Sequence, residues 1–166
     1  MDGTIAIDDP RGPDVRRLLA THLAFGNAHS PPEDVHALDV DALVDPAITF
    51  LSYRFDSELL AVGALKDLGN GEAELKSMHT AVAARGRGIG RAMVEHLVAL
   101  ARERDMTRIS LETGTPEVFG PARALYASVG FMLCQPFADY VLSDYSTFMT
   151  LDLREVWVRQ QGMTDV

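Results

Sequence analysis

Arg85, Gly86, Arg87, Gly88, Ile89, Gly90 and Arg91 form the stretch whose residue types point most directly to chemistry. Three alternating glycines let a backbone come close to a ligand. The residues that follow read as the start of a helix, where N–H groups are unpaired and the dipole is positive. Three arginines add formal charge. Between a strand and a helix, such a loop is a cradle for a phosphate or a diphosphate. The plainer reading is a glycine-rich connector with solvated arginines. A P-loop is excluded, because no Gly-Lys-Ser or Gly-Lys-Thr closes the stretch. A dinucleotide fingerprint fits poorly. It wants Gly-x-Gly-x-x-Gly, and Arg91 stands where the third glycine should pack helix on strand. One cysteine and five scattered histidines give no metal-ligand spacing, and no serine elbow is recognisable.

The elements that would hold this loop can be read in outline. Gly88–Arg104 is an amphipathic helix, with Ile89, Met93, Leu97, Leu100 and Ala101 at helical spacing. Glu72–Ala81 before it and Arg108–Glu112 after it read as strands. Strand, helix and strand at this spacing make a crossover, so the two strands run parallel. Upstream, Thr4–Asp8, Ile48–Phe55 and Leu59–Leu65 read as strands. Asp56–Glu58 and Asn70–Gly71 supply turns, so this half is an antiparallel meander. Asp14 is expected to cap a helix from Val15 to about Asn27, and a shorter helix covers Val40–Val44. Downstream, Pro121 and Gly130 bracket another helix as first-turn proline and C-terminal glycine. Phe131–Phe137 and Thr147–Leu153 close the sheet, and the last dozen residues are expected to be loose.

Two motifs then converge. Arg85, Gly88 and Gly90 match Gln/Arg-x-x-Gly-x-Gly/Ala, and Ala122, Leu125, Tyr126, Gly130 and Phe131 match A-x-x-L-Y-x-x-x-G-F, in order and one strand apart. In these the sequence resembles the GNAT N-acetyltransferases, over nearly all of residues 4–153. The resemblance implies an α/β (α+β) fold. Its mixed, mostly antiparallel sheet has about seven strands, with one parallel splayed pair and helices on its faces. One domain spans 1–166. It implies acetyl-CoA as co-substrate, no metal, and acetyl transfer to a primary amine by direct attack in a ternary complex. The backbone of Arg87 to Arg91 would hold the diphosphate, with Arg85 at the motif's first position and Gly86 beside it in the cofactor site. Met78, His79 and Thr80 would pair with the pantetheine arm, and an N–H near Met78 would meet the oxyanion. Tyr126 would protonate the departing thiolate. Phe119 departs from the pattern, since it stands where many relatives carry an asparagine that contacts CoA.

A base is also needed, because only about one alkylamine in a thousand is unprotonated at neutral pH. Glu74, Glu112 and His79 are the candidates. Strand alternation puts Glu72, Glu74, Lys76, Met78 and Thr80 on one face. His22, His29, His36 and His96 read as surface or helix residues.

The 166-residue chain is acidic overall, at net −9, yet residues 61–130 carry +1 while the flanks carry −7 and −3. That balance disfavours nucleic acid as a partner and leaves room for a small anion at the middle. The acidic remainder suits a cationic acceptor. No apolar run reaches the roughly 18 residues of a membrane span. A lone Cys134 and the absence of a signal-like start make the cytoplasm the expected compartment. A small-molecule amine is the expected acceptor. A peptide or protein amine, or a non-catalytic CoA sensor, is the alternative. Dimers are common in the family, so a homodimer is a further implied partner.

Overall fold

The computed structural model describes residues 2–154. Seven strands build one sheet: β1 (Thr4–Ile7), β2 (Ile48–Phe55), β3 (Glu58–Gly69), β4 (Glu72–Thr80), β5 (Arg108–Gly114), β6 (Met132–Leu133) and β7 (Ser146–Asp152). Their order is β1-β2-β3-β4-β5-β7-β6. Every pairing is antiparallel except β4 with β5. Helices α1 (Pro13–His29), α2 (Val40–Leu43), α3 (Ile89–Glu103) and α4 (Gly120–Val129) cover the two faces. This is the mixed sheet with one parallel pair that the sequence led us to expect. Among the described residues no helix is long and apolar enough to cross a membrane. The last dozen residues, expected to be loose, lie outside the described residues.

Alternation along the strands divides the core. Leu65, Leu75, Ile109 and Leu111 join Met93, Leu97 and Tyr126 on the α3–α4 face. Phe50, Val62 and Ala64 join Val15, Leu19 and Leu43 on the α1–α2 face. The apolar stripe of α3 (Ile89, Met93, Val94, Leu97, Val98 and Ala101) is wholly buried, so tertiary packing holds this helix where the loop ahead of it ends. At Gly63 the sheet and α3 come so close that an added Cβ would stand 2.6 Å from Met78 Sδ and 3.1 Å from Leu97 Cδ1.

Two expectations need correction. Asp14 does not cap α1. The helix begins at Pro13 after Gly12, and the Asp14 carboxylate is drawn to the Arg54 guanidinium at 2.6 Å, a charge-assisted bond stronger than a cap. The strand expected over Phe131–Phe137 shrinks to Met132–Leu133. Its neighbour Cys134 still donates to the Phe148 carbonyl at 2.9 Å, but Pro136 has no N–H to continue the ladder. Phe137 instead packs on Tyr140 and Phe148, with ring centroids 5.0 and 6.0 Å apart.

Leu97 is fully buried between α3 and the sheet. Leu97→Ala is therefore expected to lower stability by about 3 kcal/mol in urea unfolding. A loss below about 1 kcal/mol would mean that the α3 seam is looser than its packing indicates.

Candidate active site

The parallel ladder between β4 and β5 is short. It pairs Glu72–Leu75 with Arg108–Leu111 and then stops, although both strands continue. The break coincides with a bulge. On β3 a single residue lies between Val62 and Ala64, while on β4 two residues, Ser77 and Met78, lie between their partners His79 and Lys76. Ser77 has φ +56°. An extra residue of this kind bends its strand and resets its alternation. Beyond the bulge β4 stays paired with β3 and β5 stays paired with β7. Residues 76–80 therefore present an unpaired edge to a widening gap.

The bulge also corrects the expected facing of side chains. Glu74 and Lys76 do lie together, bonded to Tyr140. Met78 has swapped to the α3 face, against Met93 and Leu97. Thr80 lies near Gly90, and His79 turns to α1. Simple alternation fails because Ser77 inserts one residue.

The glycine–arginine loop sits at one end of the gap. Gly86 and Gly88 both have φ +78°, and nothing lies within 4 Å of where a Cβ would be. The first turn of α3 has no side-chain cap. Its N–H groups therefore face open space, the arrangement an anionic diphosphate satisfies. Arg85 Nε donates to the Thr80 carbonyl at 3.3 Å, and Arg87 is exposed. Arg91 is held sideways by Glu95 (2.9 Å) and Ser128 (2.8 Å), so its backbone rather than its guanidinium belongs to the cradle. Two orphaned atoms border the gap on β4. Ser77 Oγ and His79 Nε2 are buried with no hydrogen-bond partner among the described residues. Open glycines, an uncapped helix and orphaned polar atoms all fit a ligand of the CoA type.

One cavity of about 530 Å³ runs from this loop through the gap to the α1 face. Tyr126 and Glu112 line it. Burial and the neighbouring Glu112 hold the Tyr126 phenol well above its ordinary pKa. Burial pushes the Glu112 carboxyl up to about 7, with Lys76 pulling the other way and Glu74 and Asp34 adding to the rise. Glu74 is more tightly committed. Its Oε2 accepts from Lys76 Nζ (3.1 Å) and from the Tyr140 hydroxyl (2.5 Å), and both members of the ion pair are buried.

Three cavity residues, His22, His36 and Tyr140, lay beyond the sequence reading. His22 of α1 meets His79 with the two Nδ1 atoms 3.1 Å apart, and burial lowers both imidazoles to about 4. His79 is thus neutral at physiological pH. His36 and Tyr140 pack edge to face at 4.9 Å. His22 is a helix residue, as expected, whereas His36 is neither on a helix nor fully exposed. Phe119 lies over Gly114 and stacks edge-on with Phe25 of α1 at 5.3 Å. Among the described residues no group of three or more His, Cys, Asp or Glu is placed to hold a metal ion.

A sheet opened beside an uncapped helix, with one cavity joining the two, is the arrangement of an acyl-CoA-dependent acyltransferase. The sequence profile of the acetyltransferase (GNAT) family matches residues 14–131. The chain is 43% identical over 149 residues to the uncharacterized N-acetyltransferase YsnE of Bacillus subtilis, covering 90% of this chain and 99% of that one. It is also 43% identical over 152 residues to the uncharacterized N-acetyltransferase YedL of Escherichia coli, covering 92% and 96%. A Klebsiella pneumoniae structure assigned as an acyl-CoA N-acyltransferase superposes with a TM-score of 0.78 at 28% identity, covering 91% and 97%. The chain belongs to the GNAT family and is an acetyl-CoA-dependent N-acetyltransferase.

Because Glu112 binds its proton more tightly folded than unfolded, its contribution to stability falls as pH rises from about 4.5 to about 7. Glu112→Gln removes that loss. Relative to the unmodified chain, the variant should gain about 3 kcal/mol between pH 4.5 and pH 8 in urea unfolding. An offset that does not change with pH would place this carboxyl in water.

Proposed function

We propose that the acceptor is the primary amine of a small molecule and that it attacks the acetyl thioester directly, both substrates being bound at once. The observation that carries this reading is the single cavity joining the glycine–arginine loop to Tyr126 and Glu112. Its volume suits the end of a coenzyme arm and a small acceptor, within the range of ordinary ligand pockets.

Each residue has a role. Backbone N–H groups from Gly86 to Arg91 hold the diphosphate, and Arg85 and Arg87 supply positive charge. The free edge of β4 at Met78, His79 and Thr80 takes the amide-bearing arm, and an N–H near Met78 meets the developing oxyanion. Acetyl-CoA supplies the activated acyl group, and transfer forms a C–N bond as the C–S bond breaks. Glu112, ionised above about pH 7, removes the proton from the arriving ammonium. Tyr126, kept protonated by burial, donates to the thiolate. Glu74 is the weaker candidate for base, because Lys76 and Tyr140 already occupy its carboxylate. His79, its basicity lowered to about 4 by burial and its Nδ1 facing His22, is a poor one as well.

Three outcomes follow from these roles. Gly88→Asp should abolish acetyl-CoA binding in calorimetric titration, since φ +78° strains any side chain there and a carboxylate repels the diphosphate. Unchanged affinity would remove the cradle. Tyr126→Phe should lower kcat about 10- to 100-fold and change KM less than about threefold. An untouched rate would assign thiolate protonation to water. In pH–rate profiles Glu112→Gln should erase the acidic limb near pH 7, whereas Glu74→Gln should keep it. The reverse pattern would exchange their roles.

A further inference from the structure

The half of the cavity on the α1 face has its own charge balance. Lys76, Arg85 and Arg91 are the lysine and arginine side chains that line the whole cavity. Arg85 and Arg91 stand at the cradle end, and Lys76 is held by Glu74 at 3.1 Å and by the Tyr140 hydroxyl at 2.9 Å. The carboxylates lining the cavity are Asp34, Glu74 and Glu112. Among the described residues, Glu74 alone of these has a cation at ion-pairing distance. The cradle end is thus positive and the acceptor end negative. The histidines there add no fixed charge near neutral pH, since burial keeps His22 and His79 neutral.

The walls of the same chamber are aromatic on two sides. Phe25 and Phe119 meet edge to face at 5.3 Å, with His29 4.6 Å from Phe25. On the other side Tyr140 is fixed by its bonds to Glu74 and Lys76 and by packing on His36 and Phe137 at 4.9 and 5.0 Å. Rings fixed in this way accept a flat apolar body, and their faces favour a neighbouring cation.

We propose that the acceptor is an arylalkylamine, a primary amine on a short chain bearing an aromatic ring, and that the enzyme discriminates against the matching α-amino acid. The proposal rests on the reading above that this chamber receives the acceptor. The ammonium is drawn to Asp34 and Glu112 while the ring lies between Phe119 and Tyr140. An α-carboxylate on the same molecule would enter beside Asp34 and, above about pH 7, an ionised Glu112, neither with a cation at ion-pairing distance among the described residues, and like charges so placed repel. The short aliphatic amine lacks the ring contacts and gains only the charge.

The test uses the full chain with acetyl-CoA and follows thiol release with phenethylamine, phenylalanine and n-butylamine. The expected kcat/KM for phenethylamine exceeds that for each of the others by about 30-fold or more, the scale of one apolar contact set or one buried charge repulsion. Phe119→Ala should cut the phenethylamine-to-butylamine ratio about tenfold, chiefly through KM. Asp34→Asn should narrow the gap between phenethylamine and phenylalanine. These ratios are taken on one preparation, so a partly folded variant does not distort them. Phenylalanine turned over as well as phenethylamine would overturn the charge argument, and butylamine doing so would overturn the aromatic one. In either case small-molecule acetyl transfer would stand. No thiol release with any of the three, despite bound acetyl-CoA in calorimetry, would overturn the acceptor reading and this proposal together.

Discussion

One extra residue in β4 governs the rest of the structure. Ser77, at φ +56°, puts two residues opposite one on β3, and after Leu75 the ladder to β5 ends. A continuous parallel ladder would satisfy its own N–H and C=O groups and leave nothing to offer a ligand. Breaking it costs those bonds and buries Ser77 Oγ without a partner among the described residues. That cost is tolerated because each strand keeps its other neighbour, β3 for β4 and β7 for β5. The result is a slot through the sheet, held open by well-packed elements on both sides.

The slot connects two environments that differ in charge. On one side an uncapped helix, open glycines and arginines favour a diphosphate. On the other, Asp34, Glu74 and Glu112 line the cavity together with aromatic rings. Burial sets the proton affinities between them. It holds the Tyr126 phenol in its protonated form and brings Glu112 to about 7. Burial thus keeps the phenol protonated at neutral pH and leaves the carboxyl able to change charge there. Glu74, on the neighbouring strand, carries the same kind of group but is held in the wall by Lys76 and Tyr140.

Much of this was legible in the sequence wherever the signal was local. The loop from Arg85 to Arg91, the apolar stripe of α3, the Asn70–Gly71 turn and the run from Ala122 to Phe131 each depend on neighbours a few residues away. Other features depend on the fold. His22 reaches His79 across 57 residues, and Tyr140 reaches Glu74 across 66. No spacing rule links such pairs. The alternation of β4 misled beyond Lys76 because the bulge at Ser77 has no distinctive residue to announce it. Asp14 looked like a cap because its partner Arg54 lies 40 residues away. In the loop after Leu133, Tyr140 carries a structural duty that its irregular surroundings concealed.

The most direct measurement is a crystal structure with CoA bound. The account predicts the diphosphate on the N–H groups of residues 86–91, the arm paired with the backbone of Met78 to Thr80, and the sulfur in the slot beside the Tyr126 hydroxyl. A coenzyme whose arm runs outside the sheet, with its sulfur remote from both Tyr126 and Glu112, would contradict it.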